Sequence, residues 1–253
     1  MIVTFLGTGT SQGVPVIACK CPVCTSVDYQ DARLRSSIHI HWDDASLVVD
    51  TGPDFRLQIL RERITKVDAV LYTHAHKDHT AGMDDIRSFN FKHDMDMPIY
   101  AQMSVIEQLK KEFAYVFAEK KYPGTPRIIP NQVQNKPFTV SHHQITPIEV
   151  MHYKLPVLGF RFGDFTYITD ANHIDSSEIE KIKGSRILVL NALQKEPHIS
   201  HFTLQQAIEL ATEINAQKTY FTHISHRLGL HKEIQKELPD RMELAWDGLK
   251  VYC

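Results

Sequence analysis

The sequence has no long apolar run and no segment rich in glycine and serine. No stretch of its 253 residues reaches the roughly 20 apolar residues that span a membrane. The chain opens with Met1–Phe5, a strand-like run in place of a charged and apolar leader. We therefore expect a cytoplasmic protein without membrane contacts. Because no linker divides the chain, residues 1–253 are predicted to form a single domain.

The sequence also lacks an excess of charge of either sign. It contains 28 Lys and Arg residues against 30 Asp and Glu residues, for a formal net charge of -2. The basic residues are dispersed, and the densest pairs are Lys110-Lys111 and Lys120-Lys121. A field strong enough to wrap a polyanion is not expected from this pattern. The composition argues against nucleic acid as a partner and leaves a small anionic substrate open.

Cysteines are scarce, and their spacing excludes a disulfide framework. Three of the four are Cys19, Cys21 and Cys24, while Cys253 is the last residue. In an intracellular chain, a tight Cys-x-Cys-x-x-Cys group favours zinc-bound thiolates over oxidation. A tetrahedral structural site needs a fourth ligand from elsewhere in the chain. The alternative is a loop of reduced cysteines without a metal.

Histidine, by contrast, is abundant, with 15 residues, and it is concentrated in the segment His74-Ala75-His76-Lys77-Asp78-His79. The preceding run, residues 67–73, is short, apolar and β-branched, which predicts a buried strand. In an extended chain His74 and His76 point to one side, and a turn then brings Asp78 and His79 to the same cavity. Packed without a metal, three buried imidazoles would each need a hydrogen-bond partner. The cluster therefore predicts a metal site, against the alternative of ordinary surface or core histidines.

Other candidate site residues also follow predicted strands. Asp50 ends a predicted hairpin, where its carboxylate can orient a ligand imidazole; the alternative is a turn or cap residue. Further along the chain, His152, Asp170 and His223 each come after a strand-like run. Strands that alternate with helices and end in such residues indicate an α/β domain with its site at one edge of the sheets.

Three further expectations concern local structure. The glycine-rich residues 7–13 fit neither a phosphate loop nor a dinucleotide fingerprint, so tight turns are predicted there. A long helix is predicted over residues 103–121, and residues 103–130 are a candidate cap or rim of a substrate pocket, or else a packing helix. The segment Leu244–Tyr252 is predicted to be a hairpin that turns at Asp247-Gly248.

Taken together, the His-x-His-x-Asp-His segment and the three later ligands resemble the metallo-β-lactamase fold over nearly the whole chain. Residues 7–15, the three clustered cysteines and Asp50-Thr51-Gly52-Pro53-Asp54 narrow the resemblance to the PhnP-type phosphodiesterases. These belong to the part of the superfamily that contains tRNase Z. The resemblance implies an α/β structure, an αββα four-layer sandwich with two catalytic metals.

Site roles follow from the resemblance residue by residue. It implies that one catalytic metal binds His74, His76 and His152, that the other binds Asp78, His79 and His223, and that Asp170 bridges the two. It also implies that His226 completes a structural zinc with Cys19, Cys21 and Cys24. Besides Asp78, the expected catalytic residue is His201, as proton donor to the leaving oxygen, with His198 as the alternative. Arg87 is a weaker candidate for a phosphate contact, and a surface ion pair is the alternative for it.

The implied activity is that of a binuclear metal-dependent phosphodiesterase. Its expected substrate is a small phosphate ester, such as a cyclic ribose phosphate, attacked by water that two manganese or zinc ions activate. The resemblance leaves a homodimer open. A tRNase Z-like RNA phosphodiesterase is the nearest alternative, followed by a di-iron oxidoreductase of the same fold and a noncatalytic zinc-binding module.

Overall fold

Fourteen strands form two sheets of seven in the computed structural model, which describes all 253 residues. The first sheet has the order β14-β1-β2-β3-β4-β5-β6. Its strands are β1 (Ile2–Gly7), β2 (Ser37–His41), β3 (Ser46–Val49), β4 (Ala69–Leu71), β5 (Met97–Ala101), β6 (Ile128–Gln132) and β14 (Lys250–Tyr252).

The second sheet has the order β13-β12-β11-β10-β9-β8-β7. Its strands are β7 (Phe138–Val140), β8 (His143–His152), β9 (Leu155–Phe162), β10 (Phe165–Tyr167), β11 (Ile187–Asn191), β12 (Lys218–Thr222) and β13 (Met242–Leu244). Each sheet contains three adjacent antiparallel pairings and three adjacent parallel ones. Parallel strands end at a common edge, so each sheet has one edge where several strands finish together.

Eight α-helices accompany the sheets. They are α1 (Phe55–Glu62), α2 (Lys77–Thr80), α3 (Arg87–His93), α4 (Met103–Glu112), α5 (Ala114–Phe117), α6 (Ser176–Ile182), α7 (Leu204–Ile214) and α8 (His231–Glu237). Two 3-10 helices span Tyr29–Asp31 and Met83–Ile86. A capping box begins α7: the Thr203 hydroxyl accepts from the Gln206 N–H, and the Gln206 side chain accepts from the Thr203 N–H. None of these helices is long and apolar enough to cross a membrane.

Three apolar cores separate four layers. The central core lies between the sheets, where Phe5 and Val49 of the first meet Phe160 and Val189 of the second. A second core lies between the first sheet and α1, α3, α4 and α5, and a third between the second sheet and α6, α7 and α8. This arrangement confirms the αββα sandwich, because both sheets are apolar on both faces and each must cover its outer face with helices.

Two local predictions were wrong. The helix predicted over residues 103–121 ends at Glu112, because Phe113 leaves the helical region at φ -113° and ψ 44°, and only the single turn of α5 follows. The predicted hairpin at the end of the chain does not form either. Strand β13 lies in the second sheet and β14 in the first, so residues 245–249 cross between the sheets. Asp247 is held there by the Thr8 hydroxyl and the Leu34 N–H, contacts with distant segments that local turn chemistry cannot reveal.

Candidate metal centre

The candidate ligands lie where strands of both sheets end. Asp50 follows β3 and His74 to His79 follow β4 in the first sheet. Asp170 follows β10, His223 follows β12 and His152 is the last residue of β8 in the second sheet. Ligand sites of α/β proteins commonly occur beyond the carboxyl ends of parallel strands. The two sheets together therefore bring these candidate ligands and Asp50 to one edge of the sandwich.

Backbone conformation turns three of these side chains toward that edge. Asp50, Asp170 and His223 have φ values of 64°, 55° and 56°, in the left-handed region. Non-glycine residues occupy this region only occasionally, and Asp and His do so more readily than β-branched residues. The same reversal directly after strands of both sheets is a local strain of the kind that clusters at functional sites.

Close backbone packing supports the loop that carries Asp78. A Cβ atom on Gly52 would lie 2.1 Å from the carbonyl oxygen of Asp78. Only glycine permits this approach. The loop after β3 thereby braces α2, which bears Asp78 and His79.

Side-chain donor atoms converge in two groups joined by one carboxylate. His74, His76 and His152 form one group, and Asp78, His79, Asp170 and His223 form the other, with the donor atoms of each group within 4.8 Å of one another. Asp170 also groups with His152 and His201. The carboxylate of Asp170 therefore lies between the two sets, the place expected for a bridging ligand.

Hydrogen bonds to Nδ1 aim several imidazoles into the centre. His79 Nδ1 donates to Asp50 Oδ2 at 2.7 Å, and His152 Nδ1 donates to the Ser200 carbonyl at 2.9 Å. Asp50 also accepts from the N–H and the hydroxyl of Thr73, both at 2.8 Å. The Thr73 hydroxyl has one proton, which it gives to Asp50, so it accepts from His74 Nδ1 at 3.0 Å. These contacts leave Nε2 of each ring free to bind a metal.

The Asp50 prediction is supported by these contacts, but sequence reasoning missed the other anchoring residues. Ser36 contacts His223 Nδ1 at 3.2 Å, and neither Ser36 nor Thr73 belongs to a recognisable motif. For Thr73 a signal existed, because it directly precedes the histidine cluster. Ser36 comes from a distant loop, and nothing in its local sequence marks it.

The electrostatics of the centre favour a bound cation. Burial opposes a charge on His79, yet the carboxylates of Asp78, Asp170 and Asp50 outweigh it and raise the pKa of this imidazole well above its ordinary value. Burial lowers the pKa of His223 to about 4 and that of His74 well below its ordinary value, so both rings are neutral, as metal ligands must be. The carboxylates of Asp50, Asp78 and Asp170 thus gather around His79, a concentration of negative charge that a bound cation would offset.

Two buried nitrogen atoms also point to a missing partner. Nε2 of His74 and Nε2 of His79 are buried and form no hydrogen bond with the protein. Buried polar atoms are seldom left in this state. A divalent metal beside each ring would satisfy both atoms, and the mixed imidazole and carboxylate donors suit zinc, manganese or iron.

A separate group of ligands surrounds His226. Its Nδ1 lies 3.3, 3.4 and 3.5 Å from the sulfur atoms of Cys19, Cys21 and Cys24. A tetrahedral zinc with bonds of about 2.3 Å to sulfur and about 2.0 Å to nitrogen sets these atoms about 3.5 Å apart. The four donors thus fit a closed zinc site, which would tie the cysteine loop to the segment that bears His223.

The remaining predicted residues occupy different places. His201 lies at the centre, with Nε2 3.1 Å from Asp170 Oδ1. His198 is one step further out, with its Nδ1 3.1 Å from Nδ1 of His201. Arg87 pairs with Asp84 at 3.0 Å on the surface, which is the ion-pair alternative considered for it.

Comparison with known proteins agrees with this geometry. The model of the beta-lactamase superfamily domain matches residues 46–224. The chain belongs to the beta-lactamase superfamily. It has the metallo-β-lactamase fold, and its His, Asp and Cys side chains gather in groups that could hold metal ions.

Individual relatives refine the comparison. A diphosphatase from the PhnP family, known from a crystal structure, is 39% identical to this chain in sequence. The alignment covers 100% of this chain and 97% of the diphosphatase chain, with a TM-score of 0.93. This confirms the predicted PhnP-type resemblance. The short form of human tRNase Z is only 17% identical, so it shows a shared fold and no more. Its TM-score is 0.73, and the alignment covers 100% of this chain and 99% of the tRNase Z chain.

One sequence relative has a different name. An octanoyltransferase of Porphyromonas gingivalis is 38% identical over 249 residues. The match includes 97% of this chain but only 50% of that protein. The chain therefore spans about half the length of that relative.

Proposed function

We propose that this protein is a phosphodiesterase that hydrolyses a small phosphate ester at a centre of two divalent metal ions. The observation that carries the proposal is the position of Asp170, whose carboxylate adjoins both ligand groups and also His201. In this proposal His74, His76 and His152 hold one ion, Asp78, His79 and His223 hold the other, and Asp170 is shared.

Metal ions bound there would supply a nucleophile at neutral pH and neutralise charge on the phosphate. The surrounding side chains then have distinct tasks. Asp50 and Thr73 orient His79 and His74, while the Ser200 carbonyl orients His152. Their hydrogen bonds hold the ligands in place before substrate arrives.

His201 is the proposed proton donor to the leaving oxygen. A carboxylate only accepts, so the contact of His201 Nε2 with Asp170 requires the proton to be on Nε2. The Nδ1 atom contacts the Ser200 hydroxyl at 3.0 Å and His198 Nδ1 at 3.1 Å, groups that can exchange a second proton with the ring. His198 therefore supports His201 and is not itself the proposed proton donor. Removal of a general acid typically lowers the rate 10²–10⁴-fold.

The test is release of nitrophenolate from bis(p-nitrophenyl) phosphate by protein loaded with manganese or with zinc. We expect Asp78→Ala to abolish turnover and lose one equivalent of metal, and His201→Gln to lower kcat at least 100-fold with full metal content. Asp240→Ala and His142→Ala alter exposed residues outside the ligand groups and serve as matched controls. Full activity of Asp78→Ala would refute the proposal.

A diphosphate is the second candidate substrate, because the PhnP-family relative of 39% identity is a diphosphatase. Both substrates are cleaved at a P–O bond, so the same centre serves either reaction. Competing a cyclic ribose phosphate against a nucleoside diphosphate sugar ranks the two. A higher kcat/KM for the diphosphate would move the assignment to that class.

Three further assays would each favour a different function. Salt-dependent RNA binding with cleavage would favour a tRNase Z-like enzyme, and iron-dependent oxygen consumption would favour the oxidoreductase. Turnover of an octanoyl thioester would favour acyl transfer, the activity named for the Porphyromonas gingivalis relative. Half of that relative lies outside the match, so its activity is not assigned to this chain. Absence from membranes, a cytoplasmic location and a homodimer stay predictions.

A further inference from the structure

A groove of about 510 Å³ lies between α1 and α3 and shares no residue with the metal centre. The two helices form its walls, and residues 63–65 line the groove between them. His93 at the end of α3 donates from Nε2 to the Thr65 carbonyl at 2.7 Å, which ties the two sides together. The volume is in the range of small-molecule sites.

The floor of this groove is apolar. Phe55 and Phe89 form its base, where both are buried and their ring centroids lie 6.4 Å apart. Ile59 and Ile64 pack beside them and are partly buried, while Leu60 is 58% exposed at the rim. A ligand that covered Leu60 and this floor would remove apolar surface from water, which is favourable.

Three cations stand around the apolar floor without a partner. Arg56, Arg63 and Lys92 line the groove, are exposed and form no ion pair with the protein. Asp85 is the only acidic residue of the lining. The groove therefore combines an apolar floor with an excess of positive charge at its rim.

Neighbouring cations outside the groove do have partners. Arg61 of α1 does not line the groove, and it contacts Asp247 at 3.1 Å. Arg87 of α3 does not line it either, and it contacts Asp84 at 3.0 Å. On these two helices, the arginines outside the groove are thus neutralised and the cations inside it are not. A ligand with a negatively charged oxygen would supply the missing partner.

We propose that the groove between α1 and α3 is a binding site for an anionic amphiphile, a molecule with an alkyl chain and one negatively charged head group. The chain packs on Leu60 and the apolar floor, and the head group pairs with Arg56 and Lys92 at the rim. An uncharged amphiphile or a small inorganic anion would match only one of these two features. Binding there is independent of the function proposed for the metal centre.

Isothermal titration calorimetry of the metal-loaded protein tests this with three probes. Decyl sulfate, used well below the concentration at which it forms micelles, has both the chain and the charge. Methyl sulfate lacks the chain, and decyl maltoside lacks the charge. We expect one equivalent of decyl sulfate to bind, about tenfold more tightly than either of the others. Equal binding of decyl maltoside or of methyl sulfate, or no binding of decyl sulfate, would overturn the proposal.

Two leucines of α1 make a matched pair for the apolar contact. Leu60 lines the groove and is 58% exposed, whereas Leu57 is 55% exposed and lies outside the lining. Leu60→Asn should weaken the binding of decyl sulfate about tenfold, and Leu57→Asn should leave it unchanged. Equal effects of the two substitutions would overturn the proposal.

Two lysines make a matched pair for the charge. Lys110 of α4, like Lys92, is exposed and forms no ion pair, but it lies outside the groove. Lys92→Gln should weaken the binding of decyl sulfate about fivefold, and Lys110→Gln should have no effect. If the sulfate instead bound at the metal ions, neither Lys92→Gln nor Leu60→Asn would alter the affinity, and the proposal would fail.

Thermal unfolding separates binding in the groove from ordinary detergent action. A ligand that binds only the folded protein raises the melting temperature, whereas a surfactant that prefers the unfolded chain lowers it. We expect decyl sulfate to raise the melting temperature of the wild type and of Leu57→Asn by more than that of Leu60→Asn. A lower melting temperature of the wild type in decyl sulfate would overturn the proposal.

Discussion

Replacing Asp50 by Asn should weaken both halves of the metal centre. Asp50 is fully buried, and its Oδ2 accepts both from His79 Nδ1 and from the Thr73 hydroxyl. An Asn side chain that accepts from the Thr73 N–H with its oxygen would present its NH₂ group to these two donors. Relief of that conflict requires His79 to move its proton from Nδ1 to Nε2, where the metal should bind.

The change extends to the other group through Thr73. Once its hydroxyl accepts from Asn, its proton turns to His74 Nδ1, and the proton of that ring also moves to Nε2. Loss of a partner that orients a metal ligand typically costs 10–100-fold in metal affinity. We therefore expect each site to weaken by at least tenfold, which is about 1.4 kcal/mol per site.

Competition with a chromophoric chelator measures both zinc affinities without reference to turnover. Asp68→Asn is the control, because Asp68 also accepts a backbone N–H next to a strand, from Ser46 at 2.9 Å, but lies away from the centre. The reasoning is refuted if Asp50→Asn binds both metals as tightly as the wild type, or if only as much affinity is lost as in the control.

The remaining predictions concern stability and the zinc site. Cys21→Ser should lower the metal content from three to two equivalents and reduce the melting temperature, because the proposed zinc loses one of its four ligands. An unchanged metal stoichiometry by mass spectrometry would contradict this. Burial lowers the pKa of His39 to about 4. The folded protein keeps His39 neutral, whereas the unfolded chain takes up a proton as the pH falls. Acidification from pH 7 to 5 should therefore lower the free energy of unfolding of the wild type by about 2 kcal/mol, measured by urea titration, and His39→Gln should not show this loss. Gly52→Ala should cost about 1–3 kcal/mol by the same assay, since its Cβ would overlap the Asp78 carbonyl oxygen; a neutral effect would show that the loop relaxes freely.

Local pattern was enough to locate many of the elements. The apolar, β-branched run at residues 67–73 predicted a buried strand, observed as β4, and the strand-like runs before Asp50, His152, Asp170 and His223 correspond to β3, β8, β10 and β12. These features depend on neighbours within a few residues, which sequence periodicity reports directly. The end of α4 was missed because the conformation of Phe113 carries no such signal.

The sequence by itself determined the chemistry of the candidate site, because imidazole, thiolate and carboxylate groups at metal-ligand spacing have few other uses. It also predicted that the candidate ligands follow strands, as Asp50, Asp170 and His223 do. Only the tertiary structure decided how the ligands divide into groups and which residues orient them. Ser36 reaches His223 across 187 positions, and Asp247 joins the two sheets where a hairpin was expected. Such contacts depend on how distant strands pack, so the residues adjacent to each partner in the sequence do not predict them.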